Sequence, residues 1–123
     1  MNRIVNADGL PEPKGFAHAV IAGNTVYLAG QIGNGETIVE QFDSAAANLI
    51  TALRAAGGTA EDLVSVQIFV TELAEYVDSL PGLGRVWRRH FGHHYPAMGL
   101  FGVSALFEPN AKVELMAIAV LQS

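Results

Sequence analysis

Lys112-Val-Glu-Leu-Met-Ala-Ile-Ala-Val-Leu121 is the segment that decides the fold. Because successive side chains of a strand point to opposite faces of a sheet, its residues divide into two sets. One set is entirely apolar and comprises Val113, Leu115, Ala117 and Ala119. The other is apolar except for one carboxylate and comprises Glu114, Met116, Ile118 and Val120. The segment therefore predicts a strand that is buried on both faces.

Two amphipathic helices are predicted upstream of this strand. The first begins at the capping box Thr37 to Glu40, in which a hydroxyl and a carboxylate each bond a free backbone amide, and ends at Gly57-Gly58. The second begins at Pro81 and ends near Gly92. Its apolar stripe comprises Leu83, Trp87, His90 and Phe91.

Alternation between turn signals predicts the remaining strands, which cover Ala19 to Ile21, Thr25 to Ile32, Leu63 to Val70 and Ala97 to Ala105. Two sets are each expected to share one face: Val26, Leu28 and Ile32 in one strand, and Val64, Val66, Ile68 and Val70 in the other. The order β-β-α-β-α-β-β predicts one α+β domain over residues 1–123, with both helices on one face of a mixed sheet.

The second face of this sheet needs a cover that the predicted helices do not supply. In a chain of 123 residues, a second copy of the same sheet is the economical source of that cover. The composition agrees, because 50% of the residues are hydrophobic and only 15% are charged, which is more apolar than a typical soluble domain. A closed homo-oligomer is therefore expected.

Charge and residue usage exclude several classes of function. With seven Lys and Arg against twelve Asp and Glu, the net charge of −5 repels polyanions, so nucleic acid is not an expected partner. No stretch approaches the ~20 apolar residues of a membrane span, and no apolar signal core follows Met1, so a cytoplasmic protein is expected. The absence of cysteine excludes a thiol nucleophile and zinc–thiolate sites.

Several short motifs, taken in order, resemble the RidA/YjgF family of reactive intermediate deaminases over essentially the whole chain. They are Lys14-Gly-Phe-Ala-His-Ala-Val20, Leu28-Ala-Gly-Gln-Ile32, Ala55-Ala-Gly57 with Glu61-Asp-Leu-Val64, Phe69-Val-Thr71, Pro96-Ala97 and Val113-Glu-Leu-Met-Ala-Ile-Ala119. The resemblance implies a chorismate-mutase-like fold and a homotrimer whose sheets form a central barrel. It also implies small-molecule clefts between subunits and no bound cofactor.

Two residues match functional positions of the family. In members that hydrolyse imines and enamines, a glutamate positions the attacking water, and Glu114 matches it. Desolvation beside apolar neighbours would raise the pKa of Glu114 toward the range useful for proton transfer, although an ion-paired interface carboxylate is the alternative. Gly30 matches a glycine whose backbone approaches the ligand, and a bulge or tight packing explains it equally well.

The decisive departure from the family is Met98, which stands where an arginine binds the substrate carboxylate. A thioether offers neither charge nor donor, so affinity for a small amino-acid imine should fall by about two to four orders of magnitude. Phe16 replaces the usual tyrosine, Leu100 a common cysteine and Gly84 a frequent asparagine. Together with Phe101 these residues predict an apolar cleft, unless Met98, Leu100 and Phe101 are simply core.

Other basic side chains could replace the missing arginine. Lys14 and His18 lie in the segment that matches the pocket-lining loop of the family, although both residue types are most often merely exposed. The cluster His90-Phe-Gly-His-His94 is not expected to bind a metal, because Gly92 breaks the helix that would align its imidazoles.

Three functions remain open from the sequence. The first is hydrolysis of an imine or enamine with Glu114 as the residue that positions water. The second is a non-catalytic trimer that binds or senses a small molecule, which Met98 favours. The third is RNA cleavage, which the negative charge disfavours.

Overall fold

A computed structural model describes residues 1–122 and places six strands in one mixed sheet with the helices on one of its faces. The strands are β1 Arg3–Val5, β2 Ala19–Ala22, β3 Thr25–Gln31, β4 Leu63–Val70, β5 Ala97–Gly102 and β6 Val113–Val120. The helices are α1 Ile38–Ala55, α2 Leu73–Asp78 and α3 Leu80–Phe91, with a 3₁₀ turn at Ala60–Asp62. The α+β prediction is confirmed, and β1 and α2 are additions to the predicted order.

β6 lies in the interior of the sheet, whose order is β1-β2-β3-β6-β4-β5. It pairs antiparallel with β3 and β4, while β4 and β5 are parallel. Its odd-numbered set of side chains is buried against the helices, as predicted. Its even-numbered set lies on a face that no helix of the described chain covers, where Met116 is 38% exposed. This second surface is called the open face below.

Both predicted helix starts are confirmed by their local geometry. The Thr37 hydroxyl accepts the Glu40 amide at 3.1 Å, and a Glu40 carboxylate oxygen accepts the Thr37 amide at 3.1 Å. Gly57, at φ +92°, follows the end of α1 in the left-handed region. Pro81 lies in the first turn of α3, which buries Leu83, Val86, Trp87 and Phe91 against the core.

Two β-bulges correct the predicted faces. The register of β3 shifts between Leu28 and Gln31, so Gln31 takes the buried position and the placement of Ile32 with Val26 and Leu28 was wrong. A second shift between Leu63 and Ser65 turns Val64 outward, where it is 46% exposed. An inserted residue reverses the alternation of a strand, which a strict period of two cannot anticipate.

His90 was predicted on the buried stripe of α3 and lies instead at its margin. Its Nε2 is paired with the Asp43 carboxylate on α1, and Arg89 bonds the other oxygen of that carboxylate at 2.9 Å. These contacts hold the two helices together at their solvent side. In residues 1–122 no helix is both long and apolar enough to cross a bilayer.

Candidate ligand crevice

Glu114 projects from the open face near the middle of the sheet. β6 places it between β3 on one side and β4 on the other, where Phe69 is its cross-strand partner. The carboxyl is half-buried, and this burial raises the pKa of Glu114 above its ordinary value. Desolvation of the carboxylate is the cause of this shift. A carboxyl of this kind holds a proton more readily than an exposed one.

Gly30 leaves the space that the Glu114 carboxyl occupies. A Cβ atom built on Gly30 would overlap a carboxylate oxygen of Glu114 and lie 2.8 Å from its Cδ and 3.2 Å from its Cγ. Gly30 also lies in the bulge of β3, so the structural alternatives raised from the sequence both apply here. The backbone of Gly30 and the side chain of Glu114 are therefore packed directly against each other on the open face.

Glu114 and Gly30 line a crevice of about 530 Å³. Its other lining residues are Lys14, Phe16, Ala29, Ile32, Phe107 and Glu108. This volume lies within the range of small-molecule sites, about 300–1,000 Å³. The lining is apolar apart from one ammonium and two carboxyl groups, so the crevice suits a small ligand with a few polar atoms.

The loop that presents Lys14 and Phe16 is held in place by His18. Its Nδ1 accepts the Ala7 amide at 2.9 Å, and its Nε2 lies 2.9 Å from the Pro11 carbonyl oxygen. Because Nδ1 is an acceptor, the proton resides on Nε2, which donates to Pro11. His18 is thus buried and fully bonded to backbone. It cannot offer the crevice the cation considered for it from the sequence.

Met98 and Leu100 are not in this crevice. Both lie on β5, which is the edge strand beside β4, with Met98 46% and Leu100 41% exposed, so neither is a core residue of the single chain. Their cross-strand partners Val66 and Ile68 face the helices. Met98 and Leu100 therefore point to the face of the sheet opposite Glu114.

Phe101 lies on the open face with Glu114. Glu114, Phe69 and Phe101 occupy one row across β6, β4 and β5. The two phenyl rings stack with centroids 5.5 Å apart, and the Phe101 ring lies over Gly99. Phe101 is 45% exposed, so the row presents an apolar platform beside the acidic group.

Four further neighbours of the site were not predicted from the sequence, namely Phe69, Ile32, Phe107 and Glu108. Phe107 is 97% exposed at the mouth of the crevice, on the loop before β6. That loop is fixed by Gln41, whose amide donates to the Asn110 carbonyl at 3.0 Å and accepts the Lys112 amide at 2.7 Å. The signal in the sequence that could have identified Phe107 is an aromatic residue in a loop that also contains Pro109 and Asn110.

The histidines of the cluster His90 to His94 serve separate contacts. His90 pairs with Asp43, whereas the His94 ring bonds the Leu63 carbonyl at 2.8 Å. The Trp87 indole in turn donates to the His94 carbonyl at 3.1 Å. The cluster therefore joins α3 to its surroundings.

Comparisons with known proteins match the whole fold. The family model described as Endoribonuclease L-PSP covers residues 10–121. A 2-iminobutanoate/2-iminopropanoate deaminase from Dermatophagoides farinae is 33% identical, with 98% of this chain and 97% of the relative aligned. A solved structure from Thermotoga maritima is 32% identical at a TM-score of 0.88, covering 100% of both chains. RidA from an Antarctic Psychrobacter is 27% identical at a TM-score of 0.85, covering 97% of this chain and 99% of its own.

These similarities confirm the resemblance first drawn from the motifs and the chorismate-mutase-like fold that it implied. The chain belongs to the RidA/YjgF family, whose family model bears the description Endoribonuclease L-PSP.

Proposed function

We propose that this chain forms a homotrimer whose inter-subunit crevices hydrolyse a small imine or enamine, with Glu114 positioning the attacking water. The observation that carries the proposal is the half-buried carboxyl of Glu114, with its raised pKa, at the wall of a crevice of about 530 Å³. The relative from Dermatophagoides farinae is named as a deaminase of 2-iminobutanoate and 2-iminopropanoate.

The reaction needs one group that takes and returns a proton. Ionised Glu114 accepts a proton from water as the water oxygen bonds the imine carbon and the imine nitrogen gains a proton from solvent. Glu114 then gives its proton to that nitrogen, the carbon–nitrogen bond breaks, and ammonia leaves as the hydroxyl loses its proton to form the oxo product. A pKa raised by desolvation suits a group that must do both.

The open face supports the trimer. It exposes Tyr27 and Met116. The row of residues that begins at Glu114 continues on this face through the stacked rings of Phe69 and Phe101. Exposed apolar side chains favour burial against another copy, although the polar Ser65 and Gln67 lie among them on this face. Met98 and Leu100 point away from Glu114 within one chain, so the edge strand that carries them can complete only the crevice of a neighbouring subunit.

A non-catalytic binding trimer is the second candidate, and Met98 favours it. A guanidinium binds a carboxylate through two charge-assisted bonds, each worth roughly 1.5–3 kcal/mol, which a thioether cannot replace. Standard 2-aminoacrylate deaminase activity is therefore expected to be weak in the native chain.

The test compares hydrolysis of freshly generated 2-iminopropanoate by wild type, Glu114→Gln and Met98→Arg. Glu61→Gln, which removes an exposed carboxylate outside the crevice, is the matched control. We expect Glu114→Gln to lose at least about 100-fold in rate and Met98→Arg to gain activity. Equal rates for wild type and Glu114→Gln would reject the role of Glu114. Inactivity of both wild type and Met98→Arg would favour the binding trimer.

A further inference from the structure

The crevice wall carries one cation. Among its lining residues within 1–122, Lys14 alone is basic, and Glu108 and Glu114 are acidic. The ion pairs found in that part of the chain use Arg89, His90 and Lys112, and none of them involves Lys14. The ammonium of Lys14 is therefore available to a ligand.

We propose that Lys14 binds the carboxylate of an imino-acid ligand, in place of a cation at position 98. This assignment rests on the proposed function for the identity of the crevice. The ligand then lies with its acidic end at the Lys14 wall and its imine carbon beside Glu114, so that both contacts come from one subunit. A cation at position 98 would approach from the edge strand, whose side chain there points to the opposite face of the sheet.

The loop geometry supports this role. The buried, backbone-bonded ring of His18 fixes one end of the loop to Ala7 and Pro11, so the path of the chain between Pro11 and His18 is anchored. Beside Lys14, Gly15 takes φ +84° and has no heavy atom within 4 Å of its Cβ position. Lys14 itself is exposed, so its side chain can adjust to a bound anion while the backbone on either side is anchored.

The charges of the crevice make a cation necessary for an anionic ligand. With Glu108 and Glu114 ionised, the lining has a net charge of −1 when Lys14 is present and −2 when it is removed. Like charges disfavour binding, and a charge-assisted bond from an ammonium favours it. Loss of one such bond corresponds to about 10- to 100-fold in affinity.

The apolar walls define the rest of the ligand. Phe16, Ile32 and Phe107 surround the polar groups, and Phe16 and Phe107 are largely exposed. Apolar surface on the ligand would cover these rings and gain from their burial. If the ligand is a 2-imino acid, as the proposed function has it, these walls favour one with an apolar side chain.

The experiment measures binding of 2-oxobutanoate, the oxo-acid product expected from 2-iminobutanoate, and of its uncharged carboxamide by titration calorimetry. It uses Lys14→Met, Lys14→Arg and, as the matched control, Arg85→Met, which removes one exposed charge on the helix side of the sheet. We expect Lys14→Met to lower the affinity for 2-oxobutanoate by about 10- to 100-fold and to leave the affinity for the carboxamide unchanged. Lys14→Arg should keep most of the affinity, and Arg85→Met should bind both compounds as wild type does.

A second arm uses Met98→Arg. If β5 of a neighbouring subunit completes the crevice as proposed, the arginine of Met98→Arg can supply the missing positive charge. Adding Met98→Arg to Lys14→Met should then restore carboxylate binding. Equal weakening of both compounds by Lys14→Met, or no weakening of either, would overturn the assignment, as would a wild type that binds the carboxamide as well as the acid. Because these measurements need no turnover, a Glu114→Gln variant as active as wild type would reject the proposed role of Glu114 and leave the Lys14 result standing.

Discussion

Replacing Gly30 by alanine should displace the Glu114 carboxyl while the backbone keeps its path. Gly30 is not among the glycines with positive φ, so alanine can adopt its conformation. The three nearest atoms to the added methyl all belong to Glu114. The conflict is therefore between one new atom and one side chain.

The size of the displacement follows from the contacts. The Glu114 Cδ lies 2.8 Å from the position of the new methyl and must retreat by about 0.6 Å to reach the 3.4 Å of ordinary contact. The nearer carboxylate oxygen must move further. Because a misplacement of about 1 Å in a reacting group can cost 10²-fold, we expect a 10- to 100-fold loss of kcat/KM. Overpacking should also destabilise the protein by about 1–3 kcal/mol.

A double-mutant cycle isolates this effect. Gly30→Ala is measured alone and with Glu114→Ala, using urea unfolding for stability and imine hydrolysis for activity. In the Glu114→Ala background the methyl meets no carboxyl, so its stability cost should largely disappear. Gly84→Ala is the control, because Gly84 lies on α3 and not in the crevice as the sequence suggested, and its Cβ would meet the flexible tip of Arg88 at 3.4 Å. An undiminished activity of Gly30→Ala, or the same stability cost in both backgrounds, would refute the reasoning.

Three further outcomes are expected. Since hydrolysis needs ionised Glu114, whose pKa is raised by desolvation, kcat/KM should fall as pH drops through that raised pKa, and Glu114→Gln should show a flat profile between about pH 4 and 8. The His90 hydrogen bond, followed by the charge of Arg89, lowers the pKa of Asp43, so its stabilising contribution is present above the unfolded pKa and is lost as pH falls through the folded one. Asp43→Asn should therefore lower the free energy of unfolding at neutral pH by up to about 1 kcal/mol and have no effect in strong acid, as measured by urea unfolding. Met116→Glu on the open face should dissociate the proposed trimer, as measured by light scattering, whereas Val77→Glu, on the exposed side of α2, should not.

Elements with strong local signals were predictable from the sequence. The capping box of Thr37 and Glu40, together with Gly57, marks the ends of α1, because caps act within one turn of chain. The double alternation of β6 was also sufficient, since both of its faces are apolar. The short elements β1 and α2 gave no such signal: three residues are too few to show a period, and α2 buries no side chain fully.

The details that build the site depend on contacts between distant parts of the chain. The bulge near Gly30 is defined by its pairing with β6 on the far side of the sequence, and it decides that Ile32 lines the crevice. The role of His18 is set by Ala7 and Pro11. Residue types suggested a cation there, but the hydrogen bonds of the ring show a structural anchor.

The distribution of charge separates hydrolysis of a small imine from cleavage of RNA. Four of the seven basic residues are arginines on the helices, at Arg54, Arg85, Arg88 and Arg89. The crevice faces the other side of the sheet and combines Lys14 with Glu108 and Glu114. A polyanion needs several cations along its backbone, so any RNA would bind the helix side, with the sheet between it and Glu114. A ligand with one carboxylate needs only one cation, which the crevice contains.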